Sequence, residues 1–180
     1  MQASMMRYGK MIVAAGLSVA LSSAALASDA RTSASATGGG LRPGSAAASA
    51  SYQGDTGFAR TQTRTGEINA SRAVAVGVDE QGLSLSISHA LAPQFGPAIA
   101  TNFNLTIGSD GQVATSVGTT VARGGLERTA QVSGNATSTR IGSTAGSVAT
   151  GRTIGGGVVR SNVRAESYPR PIVRRVVRLP

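Results

Sequence analysis

His89 is the single histidine of the chain, and no cysteine accompanies it. Histidine moves a proton near neutral pH and is the commonest transition-metal ligand. A tightly held zinc or iron needs further His or Cys donors, so this chain has no ligand set for one. His89 falls on the apolar phase of its segment, between Ser88 and Ala90. That places it at the end of a buried strand face rather than in a catalytic pair.

The remaining candidates for acid–base work are Asp29, Asp55, Glu67, Asp79, Glu80, Asp110, Glu127 and Glu166. Asp79 and Glu80 are adjacent but sit in the loop Asp79-Glu80-Gln81-Gly82, where water surrounds them. No spacing matches a calcium-binding loop, and no pair is placed to flank one substrate. No serine stands in a Gly-x-Ser-x-Gly elbow. The run Gly155–Gly157 lacks the lysine that follows the glycines of a phosphate loop. The expectation is a non-enzymatic protein with no catalytic residue, no metal and no cofactor.

A second kind of chemistry is charge. Arg160, Arg164, Arg170, Arg174, Arg175 and Arg178 crowd the C-terminal stretch, with Glu166 alone opposing them. Guanidinium groups grip phosphate and carboxylate in a bidentate fork. Pro169, Pro171 and Pro180 keep this tail extended. The tail is therefore a candidate for binding an anionic polysaccharide or lipopolysaccharide. Only Tyr168 is available to stack on bases, so nucleic acid is disfavoured as a partner. Three Asn-x-Ser/Thr sequons, at Asn69, Asn104 and Asn135, are read as chance in a chain of bacterial composition.

Residues 1–27 read as a secretory signal peptide. Arg7 and Lys10 precede an apolar stretch from Met11 to Leu21, and Ala25-Leu26-Ala27 supplies the small-x-small cleavage pattern. Cleavage near Ala27 would leave no apolar run long enough for a helical membrane span, so the expected location is periplasmic, cell-surface or extracellular. Of the 17 basic residues, Arg7 and Lys10 leave with the leader, and every other one is arginine, against 8 acidic residues. The absence of cysteine means that an exported domain of this size depends on sheet pairing or oligomerisation instead of disulfides.

The elements that would position these groups are strands. Val74, Val76 and Val78 alternate with small residues, as do Leu83, Leu85, Ile87 and Leu91 with Ser84, Ser86, Ser88 and Ala90. The rhythm continues at Ile99, Phe103, Leu105 and Ile107, and again at Val113, Val117 and Val121 after the Asp110-Gly111 hairpin pair. Two-residue alternation marks strands with one face buried. The fold class expected is mainly β: a small antiparallel meander of four to five strands over residues 67–133. Residues 28–66, rich in Ser, Ala and Gly, read as a flexible segment, as do residues 134–159, and residues 160–180 as the basic tail.

On this reading the Val/Leu/Ile face is the core and needs a cover. That cover could come from the sheet curling on itself, from the C-terminal segment or from another copy of the chain. The opposite face carries Ser84, Ser86, Ser88, Asn102, Asn104, Thr106, Ser116, Gly118 and Thr120, small polar groups without the charges that protect exposed strands. Such a face suits stacking against another sheet. The function expected is an exported structural or surface-associated protein that self-assembles through its sheet faces into a homo-oligomer. The alternative is a module that attaches to anionic envelope polymers through its tail.

Overall fold

The computed structural model describes residues 27–40 and 44–168. It confirms the mainly β class and enlarges it. Ten strands run β1 (Ala27–Gly38), β2 (Ser45–Gln53), β3 (Thr56–Arg64), β4 (Ile68–Asp79), β5 (Gly82–Pro93), β6 (Ala98–Gly108), β7 (Val113–Arg123), β8 (Glu127–Thr139), β9 (Gly142–Ile154) and β10 (Val158–Tyr168). They form a four-stranded sheet ordered β2-β1-β8-β9 and a six-stranded sheet ordered β10-β7-β6-β5-β4-β3. All pairings are antiparallel. The edge strand β2 lies beside β3, and β9 beside β10, so the two sheets form a flattened sandwich.

The expected meander is present as β4 to β7, but it is the centre of a larger sheet. The segments read as flexible are strands. Residues 28–66 supply most of β1 together with β2 and β3, and residues 134–159 complete β8 and add β9. Low hydrophobicity argued against order there because little apolar area could be buried. Order comes instead from ladder hydrogen bonds and from alanine methyls packed at close range. Residues 160–168 of the expected basic tail, with Val158 and Val159 before them, form β10 on the edge of the six-stranded sheet, and residues 169–180 lie outside those described.

The expected core is on the wrong side of the sheet. The layer between the sheets is built from Ala30, Ala34, Ala36, Ala73, Ala75, Ala90, Ala92, Ala98, Ala100, Ala122, Ala130 and Ala136, with Val132 its one large aliphatic group among the described residues. Among them lie fully buried polar side chains. Ser84, Ser86, Ser88, Asn104, Thr106 and Thr120 are each 0% exposed. The small polar face read as a free stacking surface is therefore consumed inside the molecule.

Hydrogen bonding explains why this layer can be buried. Burying a hydroxyl or amide costs free energy unless it finds a partner. Thr32 of β1 bonds Ser86 and Ser88 of β5, each at 2.7 Å, and Ser28 bonds Ser84 at 2.9 Å. Other side chains reach the opposite backbone: Ser71 Oγ donates to Ser35 O at 2.9 Å, Ser84 Oγ to Ser28 O at 2.9 Å, and Thr106 Oγ1 to Thr144 O at 2.8 Å. A serine long enough to bridge two backbones means that the sheets approach well inside the roughly 10 Å of ordinary sheet packing. Larger side chains would not fit that gap, so the small residues must face inward and the Val/Leu/Ile positions outward.

Candidate functional site

The two-residue period fixes what the outer surface becomes once the inner face is set. Register pairing arranges the outward side chains of the six-stranded sheet in rows that cross its strands. One row reads Thr56, Val78, Leu83, Ile107, Val113, Tyr168, and the next Phe58, Val76, Leu85, Leu105, Thr115, Glu166. The third reads Arg60, Val74, Ile87, Phe103, Val117, Arg164. On β4 to β7 these rows form an aliphatic and aromatic field interrupted at Thr115. Phe103 is 38% exposed, Ile107 40%, Val117 44% and Phe58 53%.

Beyond the third row the character changes. The fourth reads Gln62, Arg72, His89, Thr101, Thr119, Asn162, and the fifth Arg64, Ala70, Leu91, Ile99, Val121, Arg160. Here lies a shallow cleft of about 380 Å³ lined by Arg64, Arg72, His89, Leu91, Ile99 and Thr101 among others. His89 stands between Arg72 of β4 and Thr101 of β6 in register. Its pKa is lowered from 6.5, first by partial burial and then by the Arg72 charge. The charged imidazolium is thus disfavoured, and its flanking register positions offer no carboxylate to orient it as a catalytic base. It lies on the outward face, not at the end of a buried one.

Four of the carboxylates take structural positions. Asp79 Oδ1 accepts the backbone N–H groups of Gln81 at 2.7 Å and Gly82 at 3.1 Å. Asp110 Oδ1 accepts that of Gln112 at 3.0 Å. Asp29 pairs with Arg31 at 2.6 Å and accepts Thr137 Oγ1 at 3.1 Å. Glu166 accepts the Tyr168 hydroxyl and pairs with Arg164. Its pKa is lowered by that hydroxyl first and by the Arg164 charge second, while the Tyr168 pKa is raised by the same hydrogen bond. Among the described residues no group of three or more His, Cys, Asp or Glu side chains is placed to hold a metal ion.

Of the arginines singled out for anionic polymers, Arg160 and Arg164 are exposed on β10 and belong to the outward rows. Arg170, Arg174, Arg175 and Arg178 lie outside the described residues. A basic cluster not singled out from the sequence, Arg60, Arg64 and Arg72, meets on β3 and β4. Gln62 lies directly across the ladder from Arg72, and Arg60 and Arg64 flank Gln62 on β3. The signal was present in the alternation of Arg60, Gln62 and Arg64, but it lay inside a segment read as flexible.

The outer surface of the four-stranded sheet differs entirely. Its rows join Ser45, Thr37, Thr129 and Arg152, then Ala47, Ser35, Gln131 and Thr150, then Ser49, Ser33, Ser133 and Val148. The two broad faces of the molecule are thus one apolar and one hydroxylic. No helix among the described residues is long and apolar enough to cross a membrane. Comparison with known proteins returns no match: no family model, no curated sequence and no solved structure is found to resemble this chain.

Proposed function

We propose that this is an exported, non-enzymatic structural protein that works by docking through the apolar outer face of its six-stranded sheet. The observation that carries the proposal is the outward apolar field centred on Leu85, Ile87, Phe103 and Leu105. Soluble monomers rarely expose a contiguous apolar patch beyond a few hundred Å², and larger ones mark interaction surfaces. The expectation of contact through a sheet face is retained, and the face is reassigned from the serine and asparagine side to the valine and leucine side. The chemistry of the described groups supports the non-enzymatic reading. The register neighbours of His89 are Arg72 and Thr101 rather than an orienting carboxylate, and Asp29, Asp79, Asp110 and Glu166 are engaged in turns and ion pairs.

Carbene footprinting tests the docking. A photoactivated diazirine labels exposed aliphatic positions, and mass spectrometry reads the yield at each peptide. Peptides from β5 and β6 should be protected in the native protein at its working concentration and become labelled on dilution or after Phe103→Asp. Full labelling of β5 and β6 at every concentration would overturn the proposal.

A further inference from the structure

We propose that the apolar outer face docks on an anionic lipid bilayer, with the guanidinium groups of Arg60, Arg64, Arg72, Arg160 and Arg164 on its headgroup phosphates. The inference rests on the docking reading above and adds the partner and the part of the face that meets it.

The placement of arginine on the sheet carries the inference. The third outward row begins at Arg60 of β3 and ends at Arg164 of β10, with Val74, Ile87, Phe103 and Val117 between them. The fifth row repeats the pattern, from Arg64 of β3 through Ala70, Leu91, Ile99 and Val121 to Arg160 of β10. Both rows are thus aliphatic or aromatic in the middle and cationic at both ends. Five strand spacings separate the two ends, about 24 Å at about 4.8 Å each. Arg72 stands in the fourth row between them, beside His89. All five arginines are exposed. Arg164 pairs with Glu166, and the other four have no carboxylate partner among the described residues.

An arginine at the margin of an apolar field lays its stem along the field and holds its guanidinium at the water boundary, as such side chains do at membrane interfaces. There it meets phosphates, which it grips in a bidentate fork. Apolar contact and attraction to anionic lipid add in interfacial binding, at roughly fivefold in partitioning for each arginine near the surface. The polar fourth row, with Gln62, Arg72, His89 and Thr101, fits the same partner. A headgroup layer offers these groups acceptors and water, whereas the aliphatic surface of a protein partner would leave them unpaired. The shallow cleft on this part of the face holds both chemistries, Arg64 and Arg72 on β3 and β4 against Leu91 and Ile99 on β5 and β6.

Charge separates lipid from self-assembly. The outward rows of a second copy would bring five more arginines and Glu166, whose carboxylate is already taken by Arg164 and Tyr168. Those rows therefore supply no counter-charge. The acidic turn residues Asp55, Asp79, Glu80 and Asp110 lie beyond the first row. An anionic surface repels that end and draws in the third to fifth rows, where Glu67 of the β3–β4 turn is outnumbered by the arginines.

Flotation of the purified protein with vesicles is the test, with circular dichroism confirming the fold of each variant. The protein should float with vesicles of equimolar phosphatidylglycerol and phosphatidylcholine at low salt, and stay behind with phosphatidylcholine alone. Arg60→Gln/Arg64→Gln and Phe103→Asp should each weaken the binding by about tenfold or more with the β spectrum intact. Both losses should persist in a background of Arg170→Gln/Arg174→Gln/Arg175→Gln/Arg178→Gln, because the rows rather than the tail carry the contact. Binding that vanishes with the tail substitutions and ignores those on the face would overturn the proposal in favour of the tail. Equal flotation with phosphatidylcholine alone would overturn it too, since the arginines would then play no part. A protein that binds neither vesicle and forms a dimer sensitive to Phe103→Asp in sedimentation velocity would replace the lipid with a second copy and leave the docking reading standing. A monomer that binds neither vesicle, with β5 and β6 fully labelled by carbene in native membranes and extracts, would overturn both readings. The same monomer with β5 and β6 protected there would overturn the lipid alone.

Discussion

Asn104 and Gly134 meet across the gap between the sheets, the carboxamide of one filling the space that a Cβ on the other would need. The amide is held from several sides. Its Oδ1 accepts Ser86 Oγ at 2.5 Å. Its Nδ2 lies within reach of Ser116 Oγ at 3.0 Å, Gly146 O at 2.9 Å and Ser147 Oγ at 2.9 Å. A side chain tied this firmly cannot swing away from a new neighbour, which accounts for glycine at position 134. Asn102 lies beside it, donating to Ser133 O.

Removing this amide is expected to be costly. Asn104→Ala leaves the Ser86 and Ser116 hydroxyls and the Gly146 carbonyl short of a partner in a dry layer, at about 1–3 kcal/mol per unsatisfied group. Some of these groups retain other bonds, so the net loss expected is about 3 kcal/mol. Gly134→Val should cost a comparable amount by driving a branched side chain into the same space, about 1–3 kcal/mol for overpacking alone. Urea denaturation of both variants checks this. Unchanged midpoints would show that Asn104 does not lie between the sheets.

The inverted layering makes a contrasting pair of substitutions informative. Ala75 is fully buried on β4, and Leu105 faces outward on β6. Ala75→Leu adds atoms to a fully buried position between the sheets, so it should destabilise by about 2 kcal/mol or more. Leu105→Thr removes apolar surface that the isolated chain leaves wet, so its monomer should change by less than about 1 kcal/mol. An ordinary sandwich with the leucines inside would give the reverse order. Thermal melts at concentrations low enough to hold the chain monomeric would measure both, and that reverse order would sink the layering.

The strand rhythm was legible because it is a property of local sequence. Val74 to Val78 and Leu83 to Leu91 alternate whichever side faces inward, and the Asp79–Gly82 and Asp110-Gly111 turns end them where expected. The sidedness was not legible from hydrophobicity alone. Valine and leucine are inside in most proteins, but here the covering strands β1, β2, β8 and β9 offer alanine, serine, threonine and glycine. Only the small face of the six-stranded sheet can approach them. The decisive clue was compositional: residues 28–66, which supply β1 and β2, contain Leu41 as their one large aliphatic side chain with which to cover a leucine face. His89 was assigned to the right strand and face, and the fate of that face changed its meaning.

His89 provides a pH test whose sign follows from its surroundings. Burial and the Arg72 charge disfavour the imidazolium in the folded chain, so the folded pKa lies below the ordinary 6.5. The unfolded chain then takes up the proton first as pH falls. Above pH 6.5 His89 is neutral in both states and adds nothing to the pH dependence. Between 6.5 and the lower folded value stability declines, and it levels off once both states are protonated. Titrating the imidazole by NMR should give a midpoint below 6.5, and His89→Gln should flatten the decline in urea midpoint over the same interval. A midpoint above 6.5 would show that a carboxylate, rather than Arg72, is its dominant neighbour.

The proposed leader cleavage has a structural consequence at the first strand. Strand β1 begins at Ala27, and Ser28 is fully buried against Ser84. A cut after Ala27 therefore removes one residue of the strand and leaves the Ser28 bond and the Asp29–Arg31 pair in place. A cut three residues later, after Ala30, would strip the strand of Ser28 and of the Asp29 carboxylate that accepts Thr137. Intact-mass analysis of protein recovered from the medium or the periplasm should accordingly show a chain beginning at Ser28. A chain retaining Met1 to Ala27 in those fractions would remove cleavage from the proposal, and confinement of the protein to the cytoplasm would remove export itself.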